Sequence, residues 1–319
     1  MTTQTTRPVV VGIDGGPGST GALRYGVAEA VRRRAPLDLV HVMPSLGPAV
    51  LAPLAPFPPI APTGPGSVAE LRSVATSILQ KARETATRLA PQLEVRTELA
   101  HGSRSASLVE ASEEAQLVVV GRESHRGVER VLAGATTAAV AARAHCDVVV
   151  VPSFWTDDHP RGRVVVGVKT HSQGAELLGP AFAEAAARGA TLTVVTAWEL
   201  PDPYLDRIEV RTHAEDWEVE GRQVLTELMS DWRTAYPEVP VEIRIRHGRP
   251  ASVLVETSRE SDVLFLARRR HAVHTHGHLG GVAYAVLRAS DVPVHVVTPT
   301  AVETPVPELV LERAGQPVK

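Results

Sequence analysis

At 319 residues, with 44% apolar and only 4% aromatic side chains, the chain is long enough for about two domains with cores of Val, Leu and Ala. A formal net charge of −3 and a pI near 6.5 give no global attraction for nucleic acid or an anionic membrane. Met1–Pro8 carries no apolar leader pattern, and no apolar run approaches the ~18 residues of a spanning helix. The single cysteine, Cys146, excludes an internal disulfide, so a cytoplasmic location is expected.

Arg7–Ile13 predicts a strand, and Asp14-Gly15-Gly16-Pro17-Gly18-Ser19 is turn chemistry ending in an expected helix N-cap at Ser19. Leu23, Val27 and Val31 recur every four residues and predict a helix ending in the basic cluster Arg32-Arg33-Arg34. Leu37–Val42 is a second strand. Eight prolines in the 22 residues from Pro44 to Pro65 exclude both helix and ladder there, so this segment reads as a loop. From Ser67 a helix is predicted with Val68, Leu71, Ala75, Ile78, Ala82, Ala86 and Leu89 on its apolar face, closed by Pro91. Val95–Leu99 is a third strand and Ser105–Ser112 a short helix.

The segment Leu117–Val150 then runs strand, loop, helix, strand. Continuous apolar runs at Leu117–Val120 and Val148–Val151 fit a parallel sheet covered on both faces. Between them a glycine at the strand's end, Gly121, and another at a helix start, Gly134, allow close backbone approach to a ligand facing free helix N–H groups. That pattern is a candidate phosphate site. Strands alternating with helices predict right-handed βαβ units.

After a polar linker, Ser153–Pro160, the pattern repeats. Lys169 lies 155 residues after Asp14 and Ala197 155 after Val42, whereas Gly248 lies 146 after Gly102 and Gly280 146 after Gly134. The second copy therefore lacks nine residues between its second and third strands, where the first carries its proline-rich insertion. A repeat of this size is a duplicated domain and not a solenoid.

With these residues the chain resembles a tandem universal stress protein, over roughly residues 7–152 and 162–299, with 300–319 as a tail. The family's motif is Gly-x2-Gly-x9-Gly-Ser/Thr after the fourth strand, with an Asp ending the first. The resemblance implies an α/β fold: two tandem open five-stranded parallel sheets with helices on both faces. They are Rossmann-like, of the adenine-nucleotide alpha-hydrolase kind, and related by a pseudo-twofold axis through their last strands. It also implies ATP across the C-terminal edge of the sheet. In the first copy Gly121 and Gly134 fit the motif, Ser124 stands in the place of the second glycine, and Ala135 replaces the hydroxyl residue. A left-handed backbone at Ser124 would cost ~1–2 kcal/mol. Thr136 offers a hydroxyl one position later. By the resemblance Asp14 sits near ribose and phosphates, where it helps hold Mg, and Val42 reads adenine through its backbone.

In the second copy Lys169, Ala267, Arg270 and Gly281 stand in the places of Asp14, Gly121, Ser124 and Ala135; only Gly280 matches. This half is read as degenerate. The resulting expectation is a stress-response protein, not an enzyme, that binds ATP in its first domain and acts through conformation or an unknown protein partner. It would be an internal pseudo-dimer, with a homodimer as a further option, and would need neither nucleic acid nor membrane. The alternative is a nucleotide-free pseudo-dimeric scaffold. Slow ATPase activity stays open, although no nucleophile–base pair and no His with a carboxylate partner is readable.

Plainer readings accompany these. Asp14 also suits a cap for the Gly15–Ser19 turn. His271, His274, His276 and His278 lack a carboxylate or Cys at ligand spacing, which favours a solvated or pocket-lining loop over zinc. Cys146 reads as a buried structural thiol. Arg268-Arg269-Arg270 reads as a solvated loop or an anion contact. Trp217, Gly221, Val224, Leu228 and Trp232 fall at helical spacing and predict core packing, and Pro44–Pro65 suits a lid over the first site or, second, a partner-binding proline segment.

Overall fold

The computed structural model describes residues 6–44, 68–122, 135–158, 160–169, 171–200, 202–268 and 279–298, without the side chains of 171–173. The chain divides into two compact units, Met1–Asp157 and Asp158–Lys319. Ser124, Gly134, the loop 45–65, the histidines between 271 and 278, and the tail 300–319 lie outside the described residues.

In the first unit β1 (Val9–Gly12), β2 (Leu37–Met43), β3 (Val95–His101), β4 (Leu117–Arg122) and β5 (Asp147–Pro152) alternate with α1 (Pro17–Arg33), α2 (Val68–Leu89), α3 (Arg104–Ala111) and α4 (Ala135–Arg143). All strands are parallel, in the order β3-β2-β1-β4-β5. Val9 pairs with Leu37 on one side and Leu117 on the other. Alternate residues Val9, Val11, Leu37, Leu39, Leu117 and Val119 pack against α1 and α2. On the other face α3 and α4 lie against β2 and β4. Coverage on both faces accounts for the unbroken apolar strands.

Helix α1 begins at Pro17 with Gly16 as its N-cap, because proline fits the first helical position. Ser19 lies inside the first turn and donates its hydroxyl to the Gly16 carbonyl at 2.9 Å. Val31 is 53% exposed, whereas Glu29 is buried and held by Arg32 and Arg33 from the next turn. In α2 the buried residues are Ala75, Leu79, Ala82 and Ala86. Val68, Leu71 and Leu89, in the terminal turns of the helix, are exposed. The linker is less polar in effect than in sequence: Trp155 packs edge-on against the buried Tyr25, ring centroids 5.0 Å apart. Cys146 is only half-buried.

The second unit repeats the plan with β6 (Arg163–Gly167), α5 (His171–Arg188), β7 (Thr191–Trp198), α6 (Pro203–Thr212), α7 (Ala214–Leu228), α8 (Ser230–Ala235), β8 (Val241–His247), α9 (Pro250–Ser258), β9 (Val263–Ala267), α10 (Gly281–Ala289) and β10 (Val294–Val297). Its parallel order is β8-β7-β6-β9-β10. The helix expected through Trp217 and Trp232 breaks at Met229. Leu225 and Met229 are its fully buried residues, while the two tryptophans flank the core half-buried.

Candidate nucleotide site

In the first unit the strand order reverses between β1 and β4, and chains leaving these strands diverge to opposite faces. Open α/β sheets bind ligands in the crevice this creates at their C-terminal edge. The end of β1 turns sharply there. Gly15 has φ +81°, a left-handed conformation that glycine adopts without strain, and the Asp14 carboxylate accepts the Gly16 N–H at 2.8 Å. The cap reading of Asp14 thus describes a real contact, and the same residue lines the crevice.

Around Asp14 the crevice is walled by Val40 and Val42 of β2, Leu108 of α3 and Val120 of β4, an apolar lining suited to a planar ring. Ser19 of α1, Arg104 of α3, and Thr136 and Thr137 of α4 add polar groups. Helices α1, α3 and α4 all start at this edge, and none carries an acidic residue in its first turn. Their partial positive ends are therefore not offset from within, which favours an anion. One carboxylate beside such a surface suits Mg, an ion held mainly through phosphates and water.

Four of the residues singled out from sequence meet here: Asp14, Val42, Gly121 and Thr136. Ala135, the first residue of α4, is exposed and outside the lining. Gly121 has a packing role of its own. A Cβ built on it would lie 2.0 Å from the Gly18 carbonyl oxygen, so glycine is required where β4 ends against the first turn of α1. Thr137, which donates to the Gly121 carbonyl at 3.4 Å, and Arg104 were not legible as site residues, because neither belongs to a recognisable spacing.

His41 also borders the crevice. Its Nδ1 lies 2.7 Å from the Ile13 carbonyl, which can only accept, so Nδ1 carries the proton.

At the matching edge of the second unit the chemistry differs. Lys169 replaces Asp14, Ala267 replaces Gly121 and Pro250 replaces Arg104. Trp198 is buried there, stacked on Trp217 at 5.3 Å and meeting the His247 ring edge-on at 4.6 Å. Histidine–carboxylate pairs do exist, contrary to the expectation from sequence: besides the exposed His145–Glu113 pair and the partly exposed His213–Glu209 pair, His247 Nε2 lies 2.9 and 2.8 Å from the two Asp206 oxygens at this edge. The partners are 41 residues apart, on β8 and α6, beyond the reach of any local pattern. The Leu200 N–H, and secondarily His247, hold the Asp206 carboxyl below the usual range. Among the described residues no group of three or more His, Cys, Asp or Glu is arranged to hold a metal, and no helix is long and apolar enough to cross a membrane.

Comparison with known proteins agrees with the duplicated pattern. The model of the universal stress protein family matches twice, over residues 5–152 and 160–298. A universal stress protein of Mycobacterium tuberculosis is 32% identical over 296 residues, covering 90% of this chain and 96% of the relative. One of Mycolicibacterium smegmatis is 28% identical over 301 residues, covering 91% and 97%. The crystal structure of a universal stress protein from Archaeoglobus fulgidus shares the fold with a TM-score of 0.64 at 15% identity, covering 92% of this chain and 99% of that one. With two domain matches and relatives aligned along nearly their whole length, the chain belongs to the universal stress protein family.

Proposed function

We propose that the first unit binds an adenine nucleotide, ATP with Mg, at the C-terminal edge of its sheet, and that occupancy changes the conformation or partner binding of a cytoplasmic stress-response protein. The observation that carries this reading is the meeting in one crevice of Asp14, Val42, Gly121 and Thr136 under three helix N-termini free of acidic residues. Val40, Val42 and Leu108 supply the surface for the base; Ser19, Thr136 and the helix ends supply donors for phosphate. Nucleotide binding, and not turnover, is the function we propose for this crevice.

For the second unit, read from sequence as a degenerate half, we propose a structural role; the alternative for the whole chain is a nucleotide-free scaffold. Lys169 replaces the acidic residue, and Trp198 and Trp217 fill space beside the strand ends. Equilibrium binding of Mg-ATP to the full chain and to Thr136→Trp, which blocks the crevice, tests the proposal. One saturable site lost in the variant is the expected result. No binding by the wild type, or equal binding by both proteins, overturns it.

A further inference from the structure

Resting on the nucleotide reading, we propose that Arg104 is the phosphate-recognising residue of the first unit, and that it makes the crevice select phosphorylated ligands over the free nucleoside. Arg104 is the one Arg or Lys among the described residues lining the crevice. It is exposed and forms no ion pair among the described residues. It opens α3, a helix without an acid in its first turn, and shares the crevice with Thr136 at the start of α4. A guanidinium beside two helix N-termini presents planar, permanently charged donors where the local potential already favours an anion.

The duplicated unit separates this role from a purely structural one. The turn that leads into α3 is built on Gly102, with φ +123°, whose N–H donates to the Met43 carbonyl at 2.8 Å. Its counterpart Gly248 has φ +129° and donates to the Trp198 carbonyl at 2.9 Å. The same turn and the same helix start therefore form in the second unit with Pro250 in the place of Arg104. The turn has no need of the arginine. At this helical position the charge is present only in the unit that also keeps the acidic residue and the glycine of the motif; in the second unit the arginine stands one place earlier, as the N-cap Arg249, 3.9 Å from Glu199.

The same comparison supplies a variant that preserves the fold. Proline suits the first position of a helix, and Ser103, with φ −79° and ψ 124°, already has the extended backbone that a following proline demands. Adenosine and Mg-ATP binding would be measured on the full chain for wild type, Arg104→Pro and Arg104→Lys. The expected result is ATP affinity lowered about tenfold or more in Arg104→Pro, the scale of a lost charge-assisted hydrogen bond. Adenosine affinity should be unchanged, Arg104→Lys intermediate, and the salt dependence of ATP binding shallower in Arg104→Pro. Equal ATP and adenosine affinities in the wild type, or equal losses for both ligands in Arg104→Pro, overturn the role of Arg104 and leave the nucleotide reading standing. Failure of the wild type to bind either ligand overturns both.

Discussion

His41 and Thr196 occupy equivalent places in the two units and satisfy the same backbone group. The His41 Nδ1–H donates to the Ile13 carbonyl at 2.7 Å, and the Thr196 hydroxyl donates to the Val168 carbonyl, its counterpart, at 2.9 Å. Where the first strand ends, its last carbonyl leaves the ladder and the neighbouring strand answers it with a side chain. Two chemically unrelated residues serve, because the requirement is one donor at one distance.

That equivalence predicts that His41→Thr keeps the stability of the first unit, whereas His41→Val lowers it by ~0.5–1.5 kcal/mol, the value of an ordinary hydrogen bond. For a unit of this size the change in midpoint is roughly 2–4 °C per kcal/mol in thermal unfolding. Comparable losses in both variants would show that the imidazole ring's packing, and not its hydrogen bond, matters at this position.

The duplication and its strands were legible because Val-rich runs such as Val118–Val120 and Val164–Val166 are buried on both faces, which burial imprints directly on sequence. The crevice at the sheet's C-terminal edge was legible in part, through Asp14, Val42 and Gly121, since those positions are tied to strand ends. What escaped depends on tertiary contact. Leu79, buried, and Leu71, exposed, are alike as isolated residues; only the placement of α2 on the sheet separates them. Arg104 reads as one more surface cation until α3 is set beside β2. The packing need at Gly121 arises from Gly18, a residue more than 100 positions earlier that no local pattern connects to it.

Asp38 carries a second contrast between the units. Its Oδ1 is buried without a hydrogen-bond partner, although Arg96 lies beside it in register on β3, because the Arg96 guanidinium is taken by Glu94 at 2.7 Å. At the corresponding place in the second unit Thr193 receives a hydrogen bond from Arg163 at 2.8 Å, and Arg163 also pairs with Glu242. Burial raises the Asp38 pKa, against the opposing charge of Arg96. An acid whose folded pKa lies above its unfolded value binds more protons when native. Stability then declines as pH rises from about 3.9 through the folded value, and the penalty persists at higher pH. Asp38→Asn is therefore expected to unfold at a higher temperature than the wild type at pH 8, with the gap closing toward pH 4. A gap that stays constant across this range would mean that Asp38 does not titrate differently in the folded chain.

Asp206 works in the opposite sense. Helix α6 has no buried residue, and Tyr204, Leu205 and Ile208 are exposed on it, so its attachment relies on polar contacts. Asp206 accepts the Leu200 N–H at 2.9 Å and pairs with His247, whose ring meets Trp198 edge-on; Trp217 in turn donates to Glu209 at 3.3 Å. The Asp206 pKa is lowered, first by the Leu200 hydrogen bond and then by His247. Its contribution is fully present above the unfolded value of about 3.9 and is lost as pH falls through the folded one. At neutral pH, Asp206→Ala should free α6 while leaving the core of the second unit, built on Phe182, Leu225 and Phe265, intact. Trypsin should then cut at Arg207 or Arg211 several-fold faster than in the wild type, with little change in the global unfolding midpoint. Because opening precedes cleavage at such sites, the rate reports the local equilibrium and not the global one. Equal cleavage rates would place the anchoring of α6 in the Trp217–Glu209 contact instead, and Glu209→Ala would then be the variant that releases it.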